Sequence, residues 1–242
     1  MKSYHYKFQV LYLQISENWI HYYMRNLSVR GVCIDYIEMR IFMKNKRTCD
    51  YIAEAIQNEI LSGRMKAGDA LRQEDLAESL GYSRIPIREA LQILEAQGLA
   101  RRLATRHVVV ADCSDQVLSE IFEMICQVEK KGIADLLEKD IAWNVSNKDH
   151  NTEETFHQFV YENISNEFFR RLLENASECY IRFAVNETGQ GKQEEQQEKR
   201  NEYVRNIYNA YQKKDIQTIE SALSRYYLLL AEYVREERSK TA

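Results

Sequence analysis

A mainly α fold in two parts is predicted by three observations. Two short segments with apolar residues at helical spacing, one from Gln73 to Leu80 and one from Ser83 to Gly98, meet across Gly81-Tyr82. The one β-branched run in the chain, Val108-Val109-Val110, follows them at hairpin distance. From Ser114 onward there is no proline and little glycine, and the segments read as helices broken by polar loops. These imply an N-terminal winged helix-turn-helix followed by an all-α helical bundle.

The stretch Ser83-Arg84-Ile85-Pro86-Ile87-Arg88-Glu89-Ala90-Leu91 organises the first part. Ser83 suits an N-cap, its hydroxyl accepting a backbone N–H of the first turn. Pro86, the single proline of the chain, falls in that first turn, where a missing N–H costs little. Ile87, Leu91 and Leu94 form a core face at helical spacing. Arg84 and Arg88 are four apart and share another face. Two guanidiniums at the start of an exposed helix suit guanine edges and phosphates. In the preceding helix Leu76, Ala77 and Leu80 point inward, and Gly81 is free to take the left-handed conformation. The same spacing also fits a helical hairpin in any small domain, and on spacing alone both readings stand.

The flanking segments extend the pattern. Thr48 to Ser62 reads as a helix with Ile52, Ala55, Ile56, Glu59 and Ile60 on one stripe and Gly63 closing it. Met65 to Gly68 is a turn, Arg72 precedes the next helix, and Leu71 returns to the core. Leu99 to Leu103 and Val108 to Ala111 are predicted strands around Ala104-Thr105-Arg106-His107. Arg101, Arg102, Arg106 and His107 then lie on or near a wing, in reach of phosphates or a minor groove. A solvated basic loop is the alternative.

Composition sets the limits. With 45% hydrophobic and 29% charged residues in 242, the chain can bury one large or two modest cores. No apolar run approaches the roughly 18 residues of a membrane span. The five cysteines are scattered and form no Cys-x-x-Cys pair, which suits reduced thiols in the cytoplasm. The net charge of −4 argues mildly against nucleic acid, but the acidic excess lies in the C-terminal half. Residues 1–42 are rich in tyrosine and aliphatics without a sustained period. They are expected to be an N-terminal extension outside the native protein, with Met43 as the true start. A packed N-terminal element is the rival expectation. The predicted domains are therefore 43–112 for the winged helix-turn-helix and 113–242 for the bundle.

In the bundle, Asp115 to Glu138 carries Val117, Ile121, Ile125 and Val128 at helical spacing. Ala142 to Asn151 is polar and reads as loop. Helices are predicted from Thr152 to Glu162, Glu167 to Glu187 and Glu194 to Lys213, and after Asp215, as cap, to about Arg238. Antiparallel helices of this kind can hold a ligand between them.

The stretch Tyr51 to Asp112 resembles the DNA-binding domain of the GntR family of bacterial transcription regulators. The residues that carry the resemblance are Ile60-x-x-Gly63, Ala67-Gly68-x-x-Leu71, Asp75-Leu76-Ala77, Leu80-Gly81-x-Ser83-Arg84-x-Pro86-Ile87-Arg88-Glu89-Ala90-Leu91 and Leu94-Glu95-x-x-Gly98-Leu99. The helical remainder resembles, more loosely, the FadR-type ligand-binding domain (the FCD group), through Thr155-Phe156-His157, Ile207-x-x-Ala210, Lys214-Asp215 and Ala222-Leu223.

The resemblance implies a homodimer that binds an inverted-repeat operator in double-stranded DNA and answers to a small-molecule effector, with no membrane partner. A repressor is the first expectation and an activator the alternative. It places Ser83, Arg84, Pro86 and Arg88 in the groove-facing motif and Arg106 at the wing. His107 stands where the family usually has glycine. Many members bind a divalent metal through an aspartate and three histidines. Those positions fall here on Glu153, His157, Val204 and Tyr226. Valine cannot ligate and tyrosine replaces imidazole poorly, so no cofactor is expected, and Glu153 with His157 reads as a hydrogen-bonded core pair more readily than as a metal remnant. The arginine that often holds a carboxylate effector falls on Ile125, leaving the effector unknown. Tyrosines 180, 203, 208, 211 and 226 suit either a cavity lining or plain core.

An enzyme is the competing class. Glu153-x-x-x-His157 could act as an acid/base pair or as half a metal site. No histidine forms a constellation with a nucleophile, and no glycine-rich phosphate loop is present, so no catalytic residue is assigned. A third class is an interaction protein whose basic elements bind a protein partner.

Overall fold

The computed structural model describes residues 47–143, 153–189 and 191–241. The N-terminal extension and the expected start at Met43 lie outside them, as do residues 144–151 of the loop predicted from Ala142 to Asn151. The chain separates into two compact units. One holds the described residues up to Ile60 together with Met65–Ala111, and the other holds Leu61–Arg64 and the residues from Asp112 onward.

In the first unit α1 spans Thr48–Leu61, α2 Gln73–Leu80 and α3 Arg84–Ala96. Ile52, Ile56 and Ile60 of α1 are buried, as the stripe predicts, and so are Ile87, Leu91 and Leu94 of α3. Gly81 takes φ 72°, a left-handed turn that lets α2 stop and α3 start within three residues. Strands β1 (Ala100–Arg102) and β2 (Val108–Val110) pair antiparallel, with Arg101 opposite Val109. Sequence reasoning missed a third partner. Residues 68–71 run along β2, with Gly68 N–H on Val110 O at 3.0 Å and Leu71 N–H on Val108 O at 2.9 Å. That explains the buried valine run. β2 is the central strand, so all three of its valines are covered.

In the second unit α4 spans Asp115–Glu138, α5 Glu153–Asn163 and α6 Glu167–Ala176. A π-helical turn, Ser177–Ile181, leads into α7 (Arg182–Asn186), and α8 (Gln193–Gln212) and α9 (Ile216–Ser239) complete the bundle. Asp215 caps α9 through Thr218 N–H at 3.2 Å, as expected. Two expectations need correction. The buried face of α4 is Leu118, Phe122, Ile125, Cys126, Glu129, Ile133 and Leu136, one position on from Val117, Ile121 and Val128, which are half-buried. The predicted helix from Glu167 to Glu187 is interrupted by the π turn, whose extra residue per turn re-aims Cys179, Tyr180 and Ile181 into the core. The cysteines at 49, 113, 126 and 179 are buried and reduced. Burial pushes the thiols of Cys113 and Cys126 up to about 11, so both are inert. No helix among the described residues is long and apolar enough to cross a membrane.

Candidate nucleic-acid interface and the polar core of the bundle

Helix α3 buries one face and presents another. Ile87, Ala90, Leu91 and Leu94 are in the core, while Arg84, Ile85 and Arg88 of its first turns and Gln92 beyond them are exposed. Pro86 is half-buried at the third helical position. Ser83 occupies the N-cap position with φ −72° and ψ 164°, yet its side chain makes no capping bond. The expected cap fails for a local reason. The usual N–H targets belong to the second and third helical residues, and the third here is Pro86, which has none. Elsewhere in the chain Ser114, Asn166 and Asp215 all cap onto a third-residue N–H. The Ser83 hydroxyl is thereby left at the surface, beside the arginines.

The cations differ in freedom. Arg84 Nη2 lies 3.0 Å from Glu74 Oε1. Arg102 is tied more firmly. Its Nε donates to Glu95 Oε2 at 3.2 Å, a second nitrogen pairs with Glu95 Oε1, and Nη1 reaches the Arg106 carbonyl at 3.4 Å. Arg102 thus fastens the hairpin to the end of α3. Among the described residues Arg72, Arg88, Arg101 and Arg106 are exposed without an ion-pair partner, and His107 is exposed beside them.

The wing tip is a tight hairpin. Arg106 N–H bonds to Leu103 O at 2.8 Å, and Leu103 N–H to His107 O at 2.8 Å. Arg106 itself carries φ 67°. This is a turn closed by a left-handed residue, and the strained backbone sits at Arg106, not at His107.

Sequence reasoning missed Ile85 and Gln92. Ile85 is 62% exposed. The 3.6 period through Ile87, Leu91 and Leu94 already excluded it from the core, which was the available signal. An apolar side chain at a helix start suits a thymine methyl, and Gln92 suits an adenine edge.

In the second unit the structure joins Glu153 and His157 to residues that spacing did not flag. His157 Nδ1 lies 3.0 Å from Glu129 Oε1, and Nε2 lies 3.0 Å from the Tyr226 hydroxyl. Tyr226 donates its proton to Glu153 Oε1 in a short hydrogen bond. Arg200 Nε donates to Glu153 Oε2 at 3.0 Å, and Tyr227 donates to Glu129 Oε2 at 2.7 Å. Because Tyr226 spends its one proton on Glu153, its oxygen accepts from His157 Nε2. Nδ1 faces a carboxylate and donates too, so the ring carries both protons. Burial alone would push His157 down, but the charge and hydrogen bond of Glu129, with the charge of Glu153, hold it above its ordinary 6.5. Burial and the Glu153 carboxylate push Tyr226 well above 10, so it stays a phenol.

These residues do not fit a divalent metal. The four positions implied by the resemblance offer one carboxylate, one protonated imidazole, a buried Val204 and a neutral phenol. The second oxygen of the carboxylate is held by a guanidinium. Among the described residues no group of three or more His, Cys, Asp or Glu side chains is placed to hold a metal. Ile125 is in the core. Of the tyrosines, 180, 211 and 226 are buried, while 203 and 208 are half-buried. Tyr208 and Tyr211 pack edge-on against Trp143, whose ring stacks on Phe159 at 4.7 Å, so they serve as core.

A packed helix pair, a three-stranded wing and an exposed basic helix start define a winged-helix DNA-binding module. A family model for bacterial regulatory proteins of the gntR family matches residues 48–110. Over those residues the chain carries a DNA-binding domain of the gntR type. It is 26% identical over 160 residues to an uncharacterized HTH-type transcriptional regulator, YdhC of Bacillus subtilis (strain 168), covering 57% of this chain and 71% of that one. It is 38% identical over 72 residues to the Glc operon transcriptional activator of Escherichia coli (strain K12), covering 28% of each. The solved structure of Lar, described as controlling expression of the Listeria monocytogenes agr system, aligns with a TM-score of 0.53 at 19% identity over 79% of this chain and 98% of that one. At that identity the likeness shows the fold.

Proposed function

We propose that the protein is a ligand-responsive repressor of the FadR type that binds an inverted-repeat operator as a homodimer. Residues 43–112 act as the DNA-binding domain and 113–242 as the ligand-binding and dimerisation domain, in the bacterial cytoplasm. The observation that carries this reading is the exposed strip Arg84, Ile85 and Arg88 on a helix whose opposite face is fully in the core. Arg84 and Arg88 read bases or fix register, and Ser83 with its uncapped hydroxyl meets a phosphate. Arg72, Arg101, Arg106 and His107 add backbone contacts whose strength falls with salt. An effector that prefers one arrangement of the bundle shifts the population between DNA-competent and incompetent states. An activator with the same contacts is the second reading, favoured by the activator among its relatives.

The test is selection of bound sequences from random duplex DNA, followed by titration of the selected site. Arg84→Ala and Arg88→Ala each weaken binding by about 1–3 kcal/mol with unchanged circular dichroism. Wild-type affinity in both variants refutes the assignment.

A further inference from the structure

The interior of the described bundle holds a cluster of charged side chains. Four helices contribute to one cluster: Glu129 from α4, Glu153 and His157 from α5, Arg200 from α8, and Tyr226 with Tyr227 from α9. Glu129, His157, Arg200 and Tyr226 are all buried. We infer that Arg200 is the resident cation of this cluster, so that the four helices are braced by protein groups alone and no metal ion takes part.

Three observations carry the inference. The donor atoms are already in use. Both oxygens of Glu153 and both ring nitrogens of His157 face protein partners at hydrogen-bond distance. A metal would have to displace the Tyr226 hydroxyl and the Arg200 guanidinium together. Second, the guanidinium is in the way. Arg200 Nε is 3.0 Å from Glu153, with 4% of the side chain exposed, so an entering dication would meet a fixed positive charge at close range in a low dielectric. Third, both buried carboxylates already have protein partners. Glu153 meets Arg200 and Tyr226, and Glu129 meets His157 and Tyr227, which is the condition for keeping buried charges at tolerable cost. Arg200 suits the role because a guanidinium stays protonated and donates in a fixed plane.

The test uses the purified full chain. Elemental analysis is expected to find no stoichiometric zinc, manganese or nickel, and the thermal midpoint is expected to stay put with EDTA and with added zinc or manganese chloride. A stoichiometric metal whose removal by EDTA lowers the midpoint overturns the inference. A double-mutant cycle then tests the pairing. Glu153→Gln and Arg200→Met are each expected to lower the midpoint, because each leaves one buried partner uncompensated. The double variant is expected to recover at least half of the loss seen in Arg200→Met. A double variant whose loss is the sum of the two singles overturns the inference. Should Arg200→Met alone yield no folded protein, a double variant that folds supports the pairing, and one that also fails while Glu153→Gln folds overturns it.

Discussion

Arg84 Nη2 stands 3.0 Å from Glu74 Oε1, so the first residue of α3 is tied to the first turn of α2. Both side chains are about two-thirds exposed, at 68% and 71%. An exposed pair of this kind contributes roughly 0.2–1 kcal/mol and is screened by salt. DNA binding through Arg84 has to break it. Glu74→Gln is therefore expected to tighten operator binding by up to about fivefold at low salt, with the gain fading as salt rises. Electrophoretic mobility shifts at several salt concentrations check this. A weaker complex at low salt would contradict it.

Ile85 makes a separate prediction about sequence preference. Its exposure between two arginines suits contact with the 5-methyl of thymine. Replacing individual thymines of the selected half-site with uracil removes only that methyl. One such position is expected to lose about 1 kcal/mol with the wild-type chain and nothing with Ile85→Ala. Equal losses in both proteins would remove Ile85 from the readout.

The left-handed Arg106 separates stability from binding at the wing. Its φ of 67° is a conformation that costs a side-chain-bearing residue roughly 1–2 kcal/mol and glycine almost nothing. Arg106→Gly is expected to raise resistance to urea while weakening DNA binding and lowering the salt slope by about one. Arg106→Ala should weaken binding equally without the gain in stability. Paired denaturation and binding curves distinguish the two.

His157 gives the bundle a pH dependence with a definite sign. Its folded pKa is raised above the unfolded 6.5. Its stabilising contribution is therefore full below 6.5 and is lost as pH rises through the folded value. Stability measured by denaturant titration is expected to fall on the alkaline side in the wild type. His157→Gln should be less stable in acid and flatter across that range. A wild-type profile that rises with pH there would show that Glu129 does not hold the ring charged.

The first unit was legible in the sequence because its chemistry is local. Gly81, Pro86 and the 3.6 period through Ile87, Leu91 and Leu94 each fix backbone within a few residues, and the elements fell where they point. The cap expected at Ser83 was the local feature that did not form, Pro86 having removed one of its two N–H targets. The polar core was not legible. Its bonds join residues 28 to 98 positions apart. Glu129 and Arg200 carry the residue types usually found on surfaces, and only their phase gives them away. Glu129 lies four residues after Ile125 on the α4 core face, and Arg200 four before Val204 on α8. The role of Arg102 was hidden similarly, because its partner Glu95 lies in a different element.

The π turn at Ser177–Ile181 has a consequence for how this gene can vary. The wider turn absorbs one surplus residue, so the residues beyond it keep nearly the phase of a regular helix. Loss of a single codon within those five would restore an α turn and leave Phe183 and Ala184 facing the interior they fill, whereas the same loss inside a regular helix such as α4 would swing everything beyond it by about 100°. A codon-deletion scan is therefore expected to find the π turn more tolerant than the regular helices around it.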